Sequence, residues 1–98
     1  MRDDFNPTVY IMANKRNGTL YTGVTSNLQR RVYQHKNPEK DSFTKRYNCT
    51  KLVYYVRYEE MINAIERQTQ IKAGPRKKKL ALIESMNPNW LDLYEELF

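Results

Sequence analysis

Three segments of the chain have the β-branched, aromatic and apolar composition that is typical of strands. The first two span residues 8–13 and 19–24, and the turn signal Asn17-Gly18 lies between them. A turn of this kind between two such segments predicts an antiparallel hairpin. The register of the hairpin stays open, because loops of about two to five residues are all compatible with the sequence. The third strand is predicted over residues 51–58, where valine and tyrosine predominate.

Four helices are predicted around these strands. Ser26 and Gln29 form a capping-box pattern that starts the first helix, which ends before Asn37-Pro38. The other helices are predicted at residues 59–73, at residues 75–86 and, as a short final one, after residues 87–89. Residues 41–48 are polar and basic, and they fit either a loop or one helical turn. This order of elements predicts a single α+β domain over residues 1–98, with a sheet that is antiparallel at least in part.

The first predicted helix places a cation and a titratable ring on its apolar stripe. Leu28, Arg31, Val32 and His35 stand at positions i, i+3, i+4 and i+7, which is the spacing of one helix face. Each polar residue alone is compatible with a structural role, with Arg31 extended over the edge of the stripe and His35 bonded to a backbone carbonyl. Their combination with two flanking tyrosine motifs favours a phosphodiesterase site.

The second predicted helix carries a carboxylate on an apolar stripe. The stripe is formed by Ile62, Ile65, Glu66, Thr69 and Ala73. A carboxylate on such a face needs a compensating partner. Two partners are compatible with the sequence: a metal ion, or a salt bridge with Arg67, Lys72 or an arginine from elsewhere in the chain.

The overall composition narrows the class of protein. The 98 residues include 17 Lys and Arg against 11 Asp and Glu, and the net charge of +6 favours a polyanionic partner. A single cysteine excludes an internal disulfide, and the first seven residues lack the pattern of a signal peptide. No apolar run approaches the roughly 20 residues that span a bilayer. We therefore expect a cytoplasmic protein with no membrane partner.

The densest run of positive charge follows Gly74-Pro75. Residues 76–79 read Arg-Lys-Lys-Lys and fall in the first turn of a predicted helix. Cations in a first turn are disfavoured by about 0.3–1 kcal/mol each, whereas a bound phosphate would be attracted by the side chains and by the backbone N–H groups. A solvated helix face and a phosphate-binding surface are both compatible with this run.

Several motifs in order along the chain together resemble the GIY-YIG nucleases, in particular their short stand-alone bacterial members and the catalytic domain of structure-specific junction endonucleases. The match covers almost the whole chain. It rests on the segments Val9-Tyr10-Ile11, Tyr21-Thr22-Gly23, Leu28-Gln29-Arg30-Arg31 with His35, Phe43-Thr44-Lys45-Arg46, Leu52-Val53-Tyr54 and Ala64-Ile65-Glu66. The resemblance implies a small three-stranded antiparallel sheet flanked by helices, and divalent-metal-dependent hydrolysis of a phosphodiester.

The resemblance also implies roles for individual residues. Glu66 corresponds to the metal ligand, and a single carboxylate suits one hydrated Mg²⁺ or Mn²⁺ ion. Tyr10 corresponds to the group that orients or deprotonates the attacking water, with Tyr21 beside it on the scissile phosphate. Because the usual pKa of a phenol is near 10, this role needs a nearby metal and arginine. Arg31 corresponds to the guanidinium that clamps the phosphate, and His35 to an auxiliary hydrogen-bonding or proton-transfer residue.

Substrate contacts are expected from the same resemblance and from the basic runs. Gly23 has a backbone role, since a glycine beside the reacting phosphate lets the chain approach closely. The basic residues expected to contact the substrate are Lys45, Arg46, Arg76, Lys77, Lys78 and Lys79. The expected partner is DNA, with branched or flapped structures preferred and a role in repair. No small-molecule cofactor is expected.

Two departures from the family pattern leave alternatives open. The first motif has Thr8 in place of its glycine, and the asparagine that many members place after the glutamate helix has no match. Lysines occupy that region, and either they supply the phosphate contact or the substrate is bound differently. The alternative function is a nucleic-acid-binding module with a weak or inactive site. A third is a protein-interaction domain that uses a surface with Trp90 and Tyr94.

Overall fold

The computed structural model describes residues 6–37 and 46–98, and these form a sheet with helices on both faces. In chain order the elements are β1 (Thr8–Ala13), β2 (Leu20–Thr25), α1 (Leu28–Lys36), β3 (Lys51–Arg57), α2 (Met61–Ala73), α3 (Arg76–Met86) and a C-terminal 3-10 helix (Leu93–Leu97). The strand order is β2-β1-β3, and both pairings are antiparallel. The predicted α+β fold is confirmed. None of the helices in the described ranges is long and apolar enough to cross a membrane.

The hairpin between β1 and β2 has a longer loop than the sequence pattern predicts. Residues 14–19 separate the paired ends Ala13 and Leu20, so the loop holds six residues and β2 starts one position late. Asn17, and not the glycine after it, takes the left-handed conformation, with φ of 57°. The loop is held internally, because the Asn14 side-chain oxygen accepts from the backbone N–H of Thr19 at 2.9 Å.

The start of α1 also lies one residue later than predicted. Asn27 is the cap, and its side-chain oxygen accepts a hydrogen bond from the backbone N–H of Arg30 at 3.1 Å. Thr25 favours this arrangement, since its hydroxyl oxygen accepts from the backbone N–H of Asn27 at 3.0 Å. Gln29 has no capping role, because its side chain donates to the carbonyl of Leu97 in the 3-10 helix.

The sheet separates two hydrophobic clusters. Alternate side chains of a strand point to opposite faces. Val9, Ile11 and Ala13 of β1 therefore pack in the cluster that contains the buried residues of α2 and α3. Tyr10 and Met12 pack in the cluster that contains the buried residues of α1. The second face is the one that carries the candidate site.

The C-terminal segment protects the outer edge of β3. A bulge leaves Val53 without a direct partner on β1, and its carbonyl accepts a hydrogen bond from the Asn87 side chain at 3.2 Å. The backbone N–H of Leu52 donates to Asp92 at 3.2 Å. These bonds satisfy edge groups that would otherwise be available for pairing with another chain.

The same segment passes from one face of the sheet to the other. Trp90 lies in the cluster with α2 and α3, whereas Leu93 lies in the cluster with α1. The predicted final helix therefore starts later, at Leu93, and it is a 3-10 helix. Trp90 is almost fully buried, so it cannot contribute to the interaction surface considered from the sequence.

The predicted buried stripe of α2 is wrong. Ile62 and Ile65 are 65% and 46% exposed, and Glu66 is exposed beside them. The helix instead buries Ala64 and Ile71, which pack against the odd-numbered residues of β1. Two overlapping stripes with helical spacing are present in this sequence, and the small Ala64 side chain favours the one that allows close approach to the sheet.

Candidate active site

Tyr10 occupies the centre of the sheet face that α1 covers. Its cross-strand neighbours on this face are Gly23 of β2 and Tyr55 of β3. Tyr21 stands opposite Met12 and is therefore diagonal to Tyr10, with 6.3 Å between the ring centroids. The two tyrosine motifs thus share one face, which the sequence left undecided.

The buried stripe of α1 completes the cluster, as its spacing predicts. His35 is 8% exposed, and its Nε2 atom lies 2.8 Å from the Tyr10 hydroxyl oxygen. Its ring also stands edge-on to Tyr21, with 5.2 Å between centroids. Arg31 is half-buried on the same helix and acts on both Tyr10 and His35 by its charge. We call Tyr10, Tyr21, Arg31 and His35 the tyrosine cluster.

Burial keeps the hydrogen-bonded pair neutral. Desolvation and, to a smaller extent, the positive charge of Arg31 lower the pKa of His35 to about 4. Burial also raises the pKa of Tyr10 far above its ordinary value, and Tyr21 adds to that rise. The charge and hydrogen bonding of Arg31 act in the opposite direction but are smaller. Arg31 thus favours the phenolate of Tyr10, as expected, but burial outweighs its effect on the pKa in this structure.

Gly23 has a role that the sequence did not predict. The Tyr10 ring lies directly over it, so a Cβ atom at position 23 would stand 2.6 Å from the Tyr10 hydroxyl oxygen and 2.7 Å from Cζ. The glycine makes room for the buried ring. In this structure the glycine allows the Tyr10 side chain to lie close to the backbone of β2.

The four side chains of the cluster differ in what they can contact. Tyr10 is completely buried, whereas Tyr21 and Arg31 are half-buried. A molecule at the surface can therefore contact the phenol of Tyr21 and the guanidinium of Arg31 directly, but not the side chain of Tyr10. Forked guanidinium donors match the oxygens of a phosphate, which makes Arg31 the natural anchor for a phosphodiester.

The structure does not bring Glu66 together with the tyrosine cluster. Glu66 is exposed on α2, and α2 packs on the sheet face opposite to Tyr10. Among the residues that the structure describes, no carboxylate contributes to the pKa shifts of Tyr10 or His35. Within residues 6–37 and 46–98, no group of three or more His, Cys, Asp or Glu side chains is placed to hold a metal. Phenols, an imidazole and a guanidinium do not form a metal site by themselves.

The basic residues expected at the substrate surface fall in different places. Arg46 is exposed, and Lys45 lies outside the described residues. Arg76 donates to two carbonyls of the hairpin loop, at 2.8 Å to Asn17 and 2.6 Å to Gly18. The remaining members, Lys77, Lys78 and Lys79, lie on α3, the first two exposed and the third half-buried.

Sequence reasoning missed the β3 side of the same sheet face. Tyr55 stands directly opposite Tyr10, and Arg57 stands opposite Thr8 in the next row. The Arg57 guanidinium lies over the Tyr55 ring, 5.3 Å from its centroid. Strand alternation within residues 51–58 contained this signal, but the bulge at Val53 obscured which residues share a face with Tyr10.

Comparisons with known proteins agree with this architecture. A sequence model described as the GIY-YIG catalytic domain matches residues 6–81. A UPF0213 protein of Staphylococcus saprophyticus is 35% identical over 75 residues, covering 76% of this chain and 90% of that protein. A UPF0213 protein of Clostridium perfringens is 39% identical over 77 residues, covering 79% and 82% respectively.

A solved structure has the same fold. The solution NMR structure of a UPF0213 protein from Bacillus halodurans superposes with a TM-score of 0.56 at 24% identity. The superposition covers 89% of this chain and 92% of that one. Together with the sequence matches, it confirms the family resemblance and the fold that the motifs predicted.

Proposed function

This chain belongs to the GIY-YIG nuclease family, alongside small bacterial UPF0213 proteins, and from that premise we propose that it is an endonuclease that hydrolyses DNA phosphodiester bonds. The observation that supports this most directly is the tyrosine cluster, in which Arg31 and Tyr21 open to the surface above a neutral Tyr10–His35 pair. Branched or flapped DNA is the proposed substrate, and repair in the cytoplasm is the proposed context.

The half-buried members of the cluster bind and polarise the phosphate. Arg31 donates to the non-bridging oxygens, where negative charge develops in the transition state. Tyr21 donates its hydroxyl hydrogen to the same phosphate, and it is positioned by the edge-on His35 ring. Both groups are donors, which suits a reaction that builds negative charge on oxygen.

The Tyr10–His35 pair accepts the proton that the attacking water loses. In the tautomer that carries its hydrogen on Nε2, that hydrogen is donated to the Tyr10 oxygen, and the free Nδ1 atom of His35 accepts the proton from water. His35 is neutral at pH 7 because its pKa is about 4. A phosphate on Arg31 offsets the charge that helps to lower this pKa, so substrate binding makes His35 a stronger base.

The metal ion in this proposal is supported only by the family to which the chain belongs. Members of this family are expected to use one Mg²⁺ or Mn²⁺ ion, with Glu66 as the corresponding ligand. The donor set on the tyrosine face does not fit such an ion, so no step above passes through it. Mere binding without cleavage is the alternative function, and the absence of a carboxylate from the described cluster is the observation that favours it.

The test is cleavage by the purified protein and by two matched arginine variants. Labelled duplex, flap, junction and single-stranded DNA are incubated with Mg²⁺, Mn²⁺ or EDTA. Arg31→Lys keeps the charge but loses the forked geometry, so cleavage should fall by at least about 100-fold while binding changes little. Arg30→Lys is the control, because Arg30 is the exposed neighbour on the same helix and lies outside the cluster.

The outcomes separate the two candidate functions. Cleavage that is lost in Arg31→Lys and retained in Arg30→Lys supports the nuclease. Binding without cleavage of any substrate by the unmodified protein supports the alternative, and equal cleavage by both variants removes Arg31 from the proposed site.

A further inference from the structure

We propose that the groove between the hairpin loop and α3 binds the phosphate backbone of the nucleic acid at a second place, away from the scissile phosphate. The proposal rests on the proposed function, and it adds a contact region on the other side of β2. It also assigns a binding role to Lys15, which no motif in the sequence singled out.

The groove is a surface depression of about 580 Å³. Residues of the hairpin loop form one wall, with Lys15 among them, and Arg76 and Lys79 of α3 form the other. The loop wall also presents asparagine and threonine side chains, which can donate hydrogen bonds to phosphate oxygens. No Asp or Glu of the described residues lines it.

The net charge of the protein is concentrated around this groove. Residues 14–20 and 72–79 together contain seven Lys and Arg and no Asp or Glu. The remaining residues contain ten Lys and Arg against eleven Asp and Glu, so they are close to neutral. The structure brings these two segments together, because Arg76 bonds to the loop carbonyls of Asn17 and Gly18.

Two of the groove cations are held in position before any ligand arrives. The Nη2 group of Arg76 donates to both loop carbonyls, which leaves the Nη1 and Nε donors of its guanidinium for a ligand. The Lys79 ammonium lies 3.4 Å from the carbonyl oxygen of Lys72 and retains further donors. Cations that are already ordered lose less entropy when they contact a phosphate.

A nucleic-acid strand can reach this groove from the tyrosine cluster. Leu20 lines the groove, and the next residue, Tyr21, belongs to the cluster on the opposite face of the sheet. Because β2 is an edge strand, the path between the two sites runs around that edge. The longest dimension of the molecule is 31 Å. At about 3.4 Å per nucleotide, a straight line between the two sites therefore corresponds to at most about nine nucleotides, and the path around the edge is longer.

The experiment compares two double variants that each remove two positive charges from the same two segments. Lys15→Gln with Lys79→Gln removes charges that line the groove. Arg16→Gln with Lys72→Gln is the control, because both residues are exposed and neither lines it. Binding to a fluorescein-labelled 20-base-pair duplex is measured between about 50 and 300 mM salt, and folding is checked by circular dichroism.

The groove pair should reduce the slope of log K against log[salt] by about 1.8, since each lost phosphate contact contributes about 0.9. The control pair should reduce it by less than half as much. If the groove pair is poorly folded, Lys79→Gln alone should still reduce the slope by about 0.9 relative to Lys72→Gln alone.

Three results would overturn the proposal. Equal slopes for the two pairs would mean that the groove cations face solvent and make no phosphate contact. A groove pair that loses binding to poly-glutamate but keeps binding to duplex would make the groove a site for an acidic protein. Cleavage that is normal in both pairs at every salt concentration would remove the groove from substrate binding. Failure of the unmodified protein to bind any nucleic acid would instead contradict the proposed function itself.

Discussion

At the scale of single residues, the candidate site depends on a buried pair of neutral groups beside a permanent cation. The Tyr10 hydroxyl and His35 Nε2 are 2.8 Å apart, and burial is the largest cause of both pKa shifts. The geometry of this pair depends on Gly23, because the Tyr10 ring occupies the space where a Cβ atom would lie. The glycine that the family motif associates with phosphate therefore also positions the Tyr10 ring.

Gly23→Ala should lower the free energy of unfolding by about 1–3 kcal/mol, since overpacking displaces a buried ring. The displaced ring cannot keep its bond to His35, and looser packing exposes the imidazole. The pKa of His35 should therefore rise from about 4 toward its ordinary 6.5. His35 is the only histidine in the chain, so its NMR titration is unambiguous.

The matched control is Gly74→Ala. A Cβ atom there would lie 3.4 Å from the Gln70 carbonyl oxygen and 3.6 Å from that of Ile71, which are ordinary contacts. Its φ of −77° suits any residue, so the substitution should be neutral or stabilise by about 0.4–1 kcal/mol. Equal effects of the two substitutions would contradict the proposed role of Gly23.

At the scale of elements, the two helices with polar residues on apolar stripes differ in which stripe they bury. In α1 the stripe of Leu28, Val32 and His35 faces the sheet, as its spacing predicts. In α2 the stripe that contains Glu66 faces away, and Ala64 and Ile71 are buried instead. Glu66 therefore has no burial cost to be compensated, which removes the physical argument for a buried partner.

Glu66→Gln should leave the free energy of unfolding unchanged within about 0.5 kcal/mol, because surface substitutions of this kind have small effects. A buried salt bridge would instead lose on the order of 3 kcal/mol. Thermal melts without metal measure this, with Glu59→Gln as an exposed control on the preceding turn. The metal-ligand prediction adds a separate readout: Mg²⁺-dependent cleavage should disappear in Glu66→Gln and persist in Glu59→Gln. Retained cleavage would contradict that assignment.

At the scale of the whole molecule, the C-terminal segment connects the two faces of the sheet across its β3 edge. Asp92 is central to this connection. Its carboxylate accepts from the backbone N–H groups of Leu52 and Tyr94, and it forms an ion pair with Lys36 of α1. Strand, helix and C-terminal segment are thus held through one side chain.

Asp92→Ala should lower the free energy of unfolding by about 1–3 kcal/mol, because it leaves the Leu52 N–H and the Lys36 ammonium without this acceptor. Urea unfolding measures the change. Glu95→Ala is the control, since Glu95 is an exposed acid in the first turn of the same 3-10 helix. A loss of similar size in both variants would show that net charge, and not the bonds of Asp92, stabilises the C-terminal segment.

The sequence by itself determined the features that depend on local periodicity and motif order. The three strands, the buried stripe of α1 and the family resemblance are properties of neighbouring residues, and the structure and comparisons confirm them. Helix ends shifted by a residue where competing caps were close together, as at Ser26 and Asn27.

Only the tertiary structure decided how these elements face one another. Periodicity defines a stripe on a helix but not which stripe is buried, and packing against β1 and β2 made that choice for α2. Strand register placed Gly23 under Tyr10, because the pairing depends on a loop whose length the sequence left open. The meeting of residues 14–20 with α3 is likewise a long-range contact between segments far apart in the chain, and no local pattern specifies it.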